Sequence, residues 1–233
     1  MWFLEPLHRK RLRNNMTSRG LFITFEGGEG CGKTTQITIL ADRVKELTTA
    51  PFIVTREPGG VLAAELIRGI LLNGDVETWS PITEGLLMSA ARYEHMSQLI
   101  RPALSQNKLV ISDRFVDSTV VYQGIVGGVA ADDIAAMNKI ACGDTYPDVT
   151  IILDIDCQIG LTRAKSRGEG ENRFEAKGKA YHEKVRAGFL EIAANEPLRC
   201  VLINANRTPD EIAADIWRVI RPHLLISGLI NDE

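Results

Sequence analysis

The chain has 233 residues, 45% of them apolar and 24% charged, which is enough to bury one α/β core and marginal for two. A formal net charge of −3 provides no basic field for a nucleic-acid backbone, so acidic ligands must be met by local arginines. No stretch of about 18 apolar residues is available to span a membrane, and Cys31, Cys142, Cys157 and Cys200 form no C-x-x-C pair. A cytoplasmic protein with reduced thiols, and with neither nucleic-acid nor membrane partners, is expected.

Residues 1–19 place Trp2, Phe3 and Leu4 ahead of a basic run ending at Arg13, the reverse of the order in a secretory signal. They read as a leader outside the fold, or as the result of a start placed ahead of Met16. One domain is expected over 20–226, with a tail at 227–233. A short apolar run, 21–26, reads as a buried central strand. It enters Gly27, Gly28, Glu29, Gly30, Cys31, Gly32, Lys33, Thr34 and Thr35, which satisfy G-x-x-x-x-G-K-[ST]. Glycines let backbone N–H groups close around phosphate oxygens, and a helix opening at Lys33 aims its positive end at them. Lys33 would reach the outer phosphates and the Thr34 hydroxyl would ligate Mg²⁺.

Ile37, Leu40, Val44 and Leu47 then recur at helical spacing. A second strand, 52–55, leads to Arg56-Glu57-Pro58-Gly59-Gly60, and a helix over 61–72 carries Arg68. A long helix over 82–105 is expected to bend at Pro102. A third strand, 109–112, ends in Asp113-Arg114; helical segments at 118–122 and 131–141 follow. A fourth strand spans 149–153, a helix 158–167, a polar lid reaches 173, and a helix runs over 176–194. The last strand, 200–203, precedes a helix with Ile212, Ile216, Ile220 and Leu224. Five apolar strands separated by helices predict a three-layer α/β fold, a five-stranded parallel sheet with helices on both faces. Ligands in such folds sit at the carboxyl ends of the strands, where the phosphate loop, Arg56, Asp113 and Arg114 all fall.

A phosphate loop alone does not separate a GTPase, an ATPase motor, a small-molecule kinase and a binding module. Asn138-Lys139-Ile140-Ala141 lacks the aspartate of a guanine-reading N-K-x-D loop, and the acid–base pair Asp113-Arg114 differs from the paired acids of motors. Asp113 would hold Mg²⁺ directly or through water, and Arg114 would bridge an acceptor phosphate. Arg163 and Arg167 share a helix face, with Lys165 and Arg173 adding charge at the lid. The scattered His8, His95, His182 and His223 read as surface or packing residues.

Phe25-Glu26-Gly27, the phosphate loop, Arg56-Glu57-Pro58-Gly59-Gly60, Asp113-Arg114-Phe115, Tyr122-Gln123-Gly124 and Tyr146-Pro147-Asp148, in that order, resemble the thymidylate kinase family from about residue 20 to 223. The resemblance implies the P-loop nucleoside monophosphate kinase fold with a lid at 163–176, transfer of the ATP γ-phosphoryl to dTMP with Mg²⁺, and a homodimer packed through helices. It implies ATP on the phosphate loop and Arg163, metal at Thr34 and Asp113, and the dTMP phosphate on Arg56, Arg68 and Arg114. Glu29 would approach the 3′-hydroxyl, Arg92, Thr119 and Gln123 the thymine edge, and Tyr122 would crowd the 2′ position. Gly30 replaces a loop cation, as in bacterial members that carry their arginines in the lid, here Arg163, Lys165, Arg167 and Arg173. Arg167 would act on the transferring phosphoryl, and Glu175 would assist metal or nucleotide. Met88 stands where the family stacks a phenylalanine on the base, which keeps open a kinase of another monophosphate or a binder without turnover.

Overall fold

The computed structural model describes residues 19–166, 173–174 and 177–231. Five strands, β1 (Phe22–Gly27), β2 (Phe52–Arg56), β3 (Leu109–Asp113), β4 (Val149–Asp154) and β5 (Cys200–Asn204), form one parallel sheet in the order β2-β3-β1-β4-β5. The expected sheet and its five strands are found. Central β1 is buried along all six residues, Thr24 and Glu26 included, as a strand covered on both faces must be.

Alternate residues of β1 serve opposite layers. Ile23 and Phe25 pack with helix α1 (Lys33–Leu47) and helix α9 (Pro209–Ile226), through Ile37, Leu40, Val44, Ile212, Ile216 and Ile220. Phe22 faces the other way, against Met96, Ile100, Val110 and Phe115. That second layer holds α2 (Leu62–Leu72), α3 (Pro81–His95), α4 (Arg101–Ser105), α5 (Val116–Thr119) and α6 (Ala131–Cys142). Helices α7 (Cys157–Lys165) and α8 (Lys179–Asn195) complete the chain order before β5. A Thr208–Glu211 capping box starts α9, satisfying two backbone donors at once.

The long helix over 82–105 is not continuous. Between α3 and α4, residues Met96–Ile100 form a π-helical turn in which the Arg101 N–H reaches the Met96 carbonyl. Pro102 has no N–H to give, and the wider turn just ahead of it absorbs the break. The segment at 118–122 is likewise a short α5 followed by π-helical Val120–Val126. Helix α7 starts at Cys157, where Asp156 accepts from the Gln158 and Ile159 N–H groups, and ends at Lys165, short of the expected 167. The expected tail is partly core, since Leu229 and Ile230 are buried with β1 and α9. The leader at 1–18 and most of the lid, 167–172 and 175–176, lie outside the described residues.

Candidate active site

The parallel register brings strand ends level. Phe25 and Arg56 both pair with Asp113, and Gly27 pairs with Leu153, so β1, β2 and β3 deliver the phosphate loop, Arg56, Asp113 and Arg114 to one edge. Two loop glycines are required by geometry. Gly30 has φ 68°, and a Cβ there would lie 1.9 Å from the Gly160 carbonyl oxygen; Gly32 opens α1 at φ 95°. Lys33 is buried and folds back over the loop, its Nζ donating to the Gly28 carbonyl at 3.2 Å and the Gly27 carbonyl at 3.3 Å. Thr34 Oγ1 lies 3.4 Å from Asp113 Oδ2. A hydroxyl and a carboxylate side by side are hard oxygen donors that suit Mg²⁺. Among the described residues no group of three His, Cys, Asp or Glu that could hold a metal is found.

Arg114 is anchored through both its backbone and its guanidinium. It holds φ 67°, unusual for a residue with a Cβ, while its N–H donates to the Phe25 carbonyl at 2.9 Å. Its guanidinium donates to Glu29 Oε1 at 2.9 Å, the Gly27 carbonyl at 3.1 Å and Ser118 Oγ at 3.2 Å, over the Tyr122 ring. Burial works against the Arg114 charge, but Tyr122, Glu29, Glu26 and Asp113 outweigh it and hold the guanidinium firmly protonated. Burial alone would raise the Glu29 carboxyl; the charges of Arg114 and Lys33, with the Tyr122 hydroxyl, keep it below the usual carboxylate range. Tyr122 Oη donates to the same oxygen at 3.2 Å.

Beneath this turn Glu26 accepts from the Phe115 N–H at 2.8 Å, the Ser118 N–H at 3.2 Å and the Ser118 hydroxyl at 2.7 Å, fixing the backbone on either side of Arg114's neighbours. Burial, reinforced by Asp117, pushes the Glu26 carboxyl up to about 7 against the pull of Arg114. A carboxyl raised in the folded state stabilises fully below its unfolded value near 4.5 and loses that contribution as pH rises through about 7. Glu26→Gln is therefore expected to gain stability relative to the parent between pH 5 and 8, by up to roughly 3 kcal/mol in urea melts. A difference between the two proteins that stays constant over this range would refute the shift.

Arg56 and Arg68 stand on the other wall. Arg56 donates to both Glu65 oxygens at 3.1 Å, and Arg68 Nη1 to the Pro58 carbonyl at 2.7 Å. Burial pulls Arg68 down and repulsion from Arg56 adds to it, against the attraction of Glu65 and Asp113. Gathering cations at an electrostatic cost is what an anion site does before its anion arrives. Arg56, Arg68 and Arg114 line one cavity of about 240 Å³ with Lys33, Thr34 and Asp113.

Met88, Arg92, Thr119, Gln123 and Phe174 line the same cavity. Arg92 is buried, donating through Nε to Glu57 Oε2 at 2.7 Å, through Nη1 to Asn138 Oδ1 at 3.2 Å, and through Nη2 to the Phe115 carbonyl and Thr119 Oγ1, each at 3.0 Å. Gln123 Nε2 donates to Glu84 Oε2 at 2.9 Å.

The thymidylate kinase family profile matches residues 25–216 of this chain. The chain belongs to the thymidylate kinase family. It is 52% identical over 203 residues to a thymidylate kinase of Caulobacter vibrioides, covering 87% of this chain and 97% of that one. A thymidylate kinase of Bradyrhizobium diazoefficiens is 48% identical over 211 residues, 90% of this chain and 92% of its own. The crystal structure of thymidylate kinase from Ehrlichia chaffeensis superposes with a TM-score of 0.71 at 32% identity, covering 87% of this chain and 99% of that one.

The sequence-derived residues of this chain divide by position. The loop, Arg56, Arg68, Met88, Arg92, Asp113, Arg114, Thr119, Tyr122 and Gln123 border or build the cleft, whereas Arg163, on exposed α7, donates to the Ala205 carbonyl at 3.2 Å, and Lys165 is exposed. Arg167 and Glu175 lie outside the described residues. Arg173 departs from the expected lid cation: it is 3% exposed, donating to Glu84 Oε1 at 2.6 Å and to the Leu71 and Val76 carbonyls. Glu84 is buried on α3 and needs a countercharge, and Arg173 supplies it. Half-buried Met88 shares the cavity wall with Phe174, an aromatic ring that the reading by spacing did not place there.

Other functional supports were also missed. Glu57 links Arg92 to His95, whose Nδ1 and Nε2 lie 3.0 Å from Glu57 Oε1 and 2.7 Å from Thr55 Oγ1. Asp117 takes a two-bond fork from buried Arg199 at 2.7 and 2.8 Å, just behind the Arg114 turn. The position of Glu57 inside the R-E-P-G-G motif was the one signal available for it; the partners of Asp117 and Glu84 leave no local trace.

Proposed function

We propose that this member of the family transfers the γ-phosphoryl of ATP to a phosphate oxygen of dTMP, releasing dTDP and ADP, with the described cleft as the place of transfer. Three arginines from three different segments, lining one cavity together with the phosphate loop, carry this reading. Lys33 and the loop N–H groups hold the donor phosphates, with Arg163 nearby on α7. Mg²⁺, held by Thr34 and Asp113, would neutralise charge on the donor oxygens when bound. Arg56, Arg68 and Arg114 hold the acceptor phosphate and fix its attacking oxygen, so the residues act by positioning and charge rather than by covalent chemistry. Glu29 accepts from the 3′-hydroxyl, Tyr122 fills the space a 2′-hydroxyl would need, and Arg92, Thr119 and Gln123 meet the base edge. A panel of dTMP, dUMP, dCMP and AMP with ATP and Mg²⁺ tests the reading: dTMP should be converted fastest, dUMP more slowly and the others hardly at all. Faster turnover of dCMP or AMP would overturn it in favour of another monophosphate kinase.

Cytoplasmic residence is proposed with it, and so is a homodimer. Leu62, Leu66 and Ile70 form an exposed stripe on α2, at 79, 66 and 49% exposure, and Leu86 and Tyr93 are exposed on α3, against which α2 packs. Sedimentation equilibrium at micromolar concentration is expected to give twice the chain mass, and Leu66→Glu the chain mass; a monomeric parent would refute the dimer.

A further inference from the structure

Glu84 has no place in the reading by motif, yet it is 4% exposed and both its oxygens are committed. A carboxylate paired with a guanidinium can only accept hydrogen bonds. Gln123, 1% exposed, therefore has to turn its amide nitrogen toward Glu84, which leaves its amide oxygen as the polar atom available to the cavity it lines. Arg92 uses four of its five N–H groups on Glu57, Asn138, Phe115 and Thr119, leaving one donor on Nη1, and it lines the same cavity as Gln123. One cavity lining thus holds an uncommitted donor on Arg92 and an uncommitted acceptor on Gln123. That pair matches the O4 acceptor and N3–H donor of a thymine or uracil ring and opposes the N4–H donor and N3 acceptor of cytosine.

We infer that Glu84 is a specificity-determining positioning residue: by holding the Gln123 amide in one of its two orientations, it sets which pyrimidine edge the site accepts. This rests on the reading of Arg92 and Gln123 as the residues that meet the base. Arg173 reinforces it, because a guanidinium on Oε1 keeps Glu84 an acceptor at Oε2. The same carboxylate therefore ties Arg173, at the lid's far end, to the base-reading amide.

Glu84→Gln gives a directional test. Arg173 would take the new amide's oxygen, so its NH₂ would face Gln123, and Gln123 would have to flip and present its own NH₂ to the cavity. The substrates to compare are dTMP and 5-methyl-dCMP, which differ only along the edge in question. The parent is expected to favour dTMP by about 10³-fold or more in kcat/KM, since a site built around paired polar groups rejects the reversed pattern strongly. In Glu84→Gln that ratio should fall by at least about 10-fold, with 5-methyl-dCMP gaining in absolute kcat/KM; a merely structural role would depress both substrates alike. A folded variant with an unchanged ratio overturns the proposal. Gln123→Leu separates the two levels: if it too leaves the ratio unchanged, Gln123 does not read the base, whereas a change in Gln123→Leu alone rejects only the role of Glu84. Should Glu84→Gln not fold, the ¹⁵N side-chain amide of Gln123 in the parent decides. Protection from solvent exchange both with and without dTMP supports the inference; protection appearing only with dTMP overturns it.

Discussion

Replacing Lys33 with alanine is expected to lower kcat/KM for dTMP phosphorylation by about 10³-fold or more while leaving the fold intact. The ammonium is buried, and among its described contacts it donates only to the Gly27 and Gly28 carbonyls and, at 3.6 Å, to Cys31 Sγ. These bonds are long, the Gly27 carbonyl keeps the Arg114 guanidinium and the Gly28 carbonyl is only part-buried, so removing the lysine costs the structure little. The phosphates of ATP would meet no second cation on the loop itself, because Lys33 is the one lysine or arginine between Gly27 and Thr35. The loss should therefore fall on turnover and ATP binding, with the thermal midpoint moving by only a few degrees. Retention of a tenth of the parent activity would contradict the assignment.

Arg114→Ala should be of similar size in activity and, unlike Lys33→Ala, should destabilise the protein. Its guanidinium is the counterion of Glu29 and also bonds the Gly27 carbonyl and Ser118. Without it, the part-buried Glu29 carboxylate is left with the Tyr122 hydroxyl and the Gly27 carbonyl with Lys33, so the loss should stay below the ~3 kcal/mol of breaking a fully buried pair. The catalytic part is separate. An arginine bridging the acceptor phosphate contacts charge that spreads during transfer, so kcat should fall as well as the apparent affinity for dTMP. The pH profile gives a third readout. Burial is the largest influence on Glu29, and Arg114 is first among the charges that overcome it. In the variant the Glu29 carboxyl should therefore titrate higher, adding an acid-side loss of activity absent from the parent. Unchanged kcat with a raised KM would restrict Arg114 to ground-state binding.

The parts of this architecture that could be read from the sequence are those written in consecutive residues. The phosphate loop declares itself through glycine spacing between an apolar run and a helix, and Asp113-Arg114 through its place at a strand end. What could not be read depends on partners far apart in the chain. Glu84 and Arg173 are separated by 89 positions and Asp117 and Arg199 by 82, and each of these residues taken alone looks like an ordinary surface charge. Arg173 was misread for that reason: a cation in a polar stretch suggests a lid, and only the buried carboxylate on α3 reveals an anchor. Phe174 entered the cavity wall unannounced because a single aromatic after a polar stretch carries no spacing signal. The helix breaks at Met96–Ile100 and Val120–Val126 were missed because a π-helical turn keeps the apolar spacing of an α-helix nearly intact.

The strand order has a consequence for how the chain acquires its structure. β1 is the first strand made, but both its neighbours, β3 and β4, come much later: Phe22 pairs with Val110 and Ile23 with Val149. The central strand cannot form a single sheet hydrogen bond until well over eighty further residues have been synthesised, and local helix formation in α1 cannot supply one. Such non-local pairing makes for slow folding, with an apolar strand unpaired in the meantime and open to association with other chains. Pulse-labelling hydrogen exchange should show β1 amides becoming protected together with those of β3, after α1; protection of β1 ahead of β3 would indicate another order of assembly. Yields of soluble protein should accordingly improve when synthesis is slowed or chains are kept dilute.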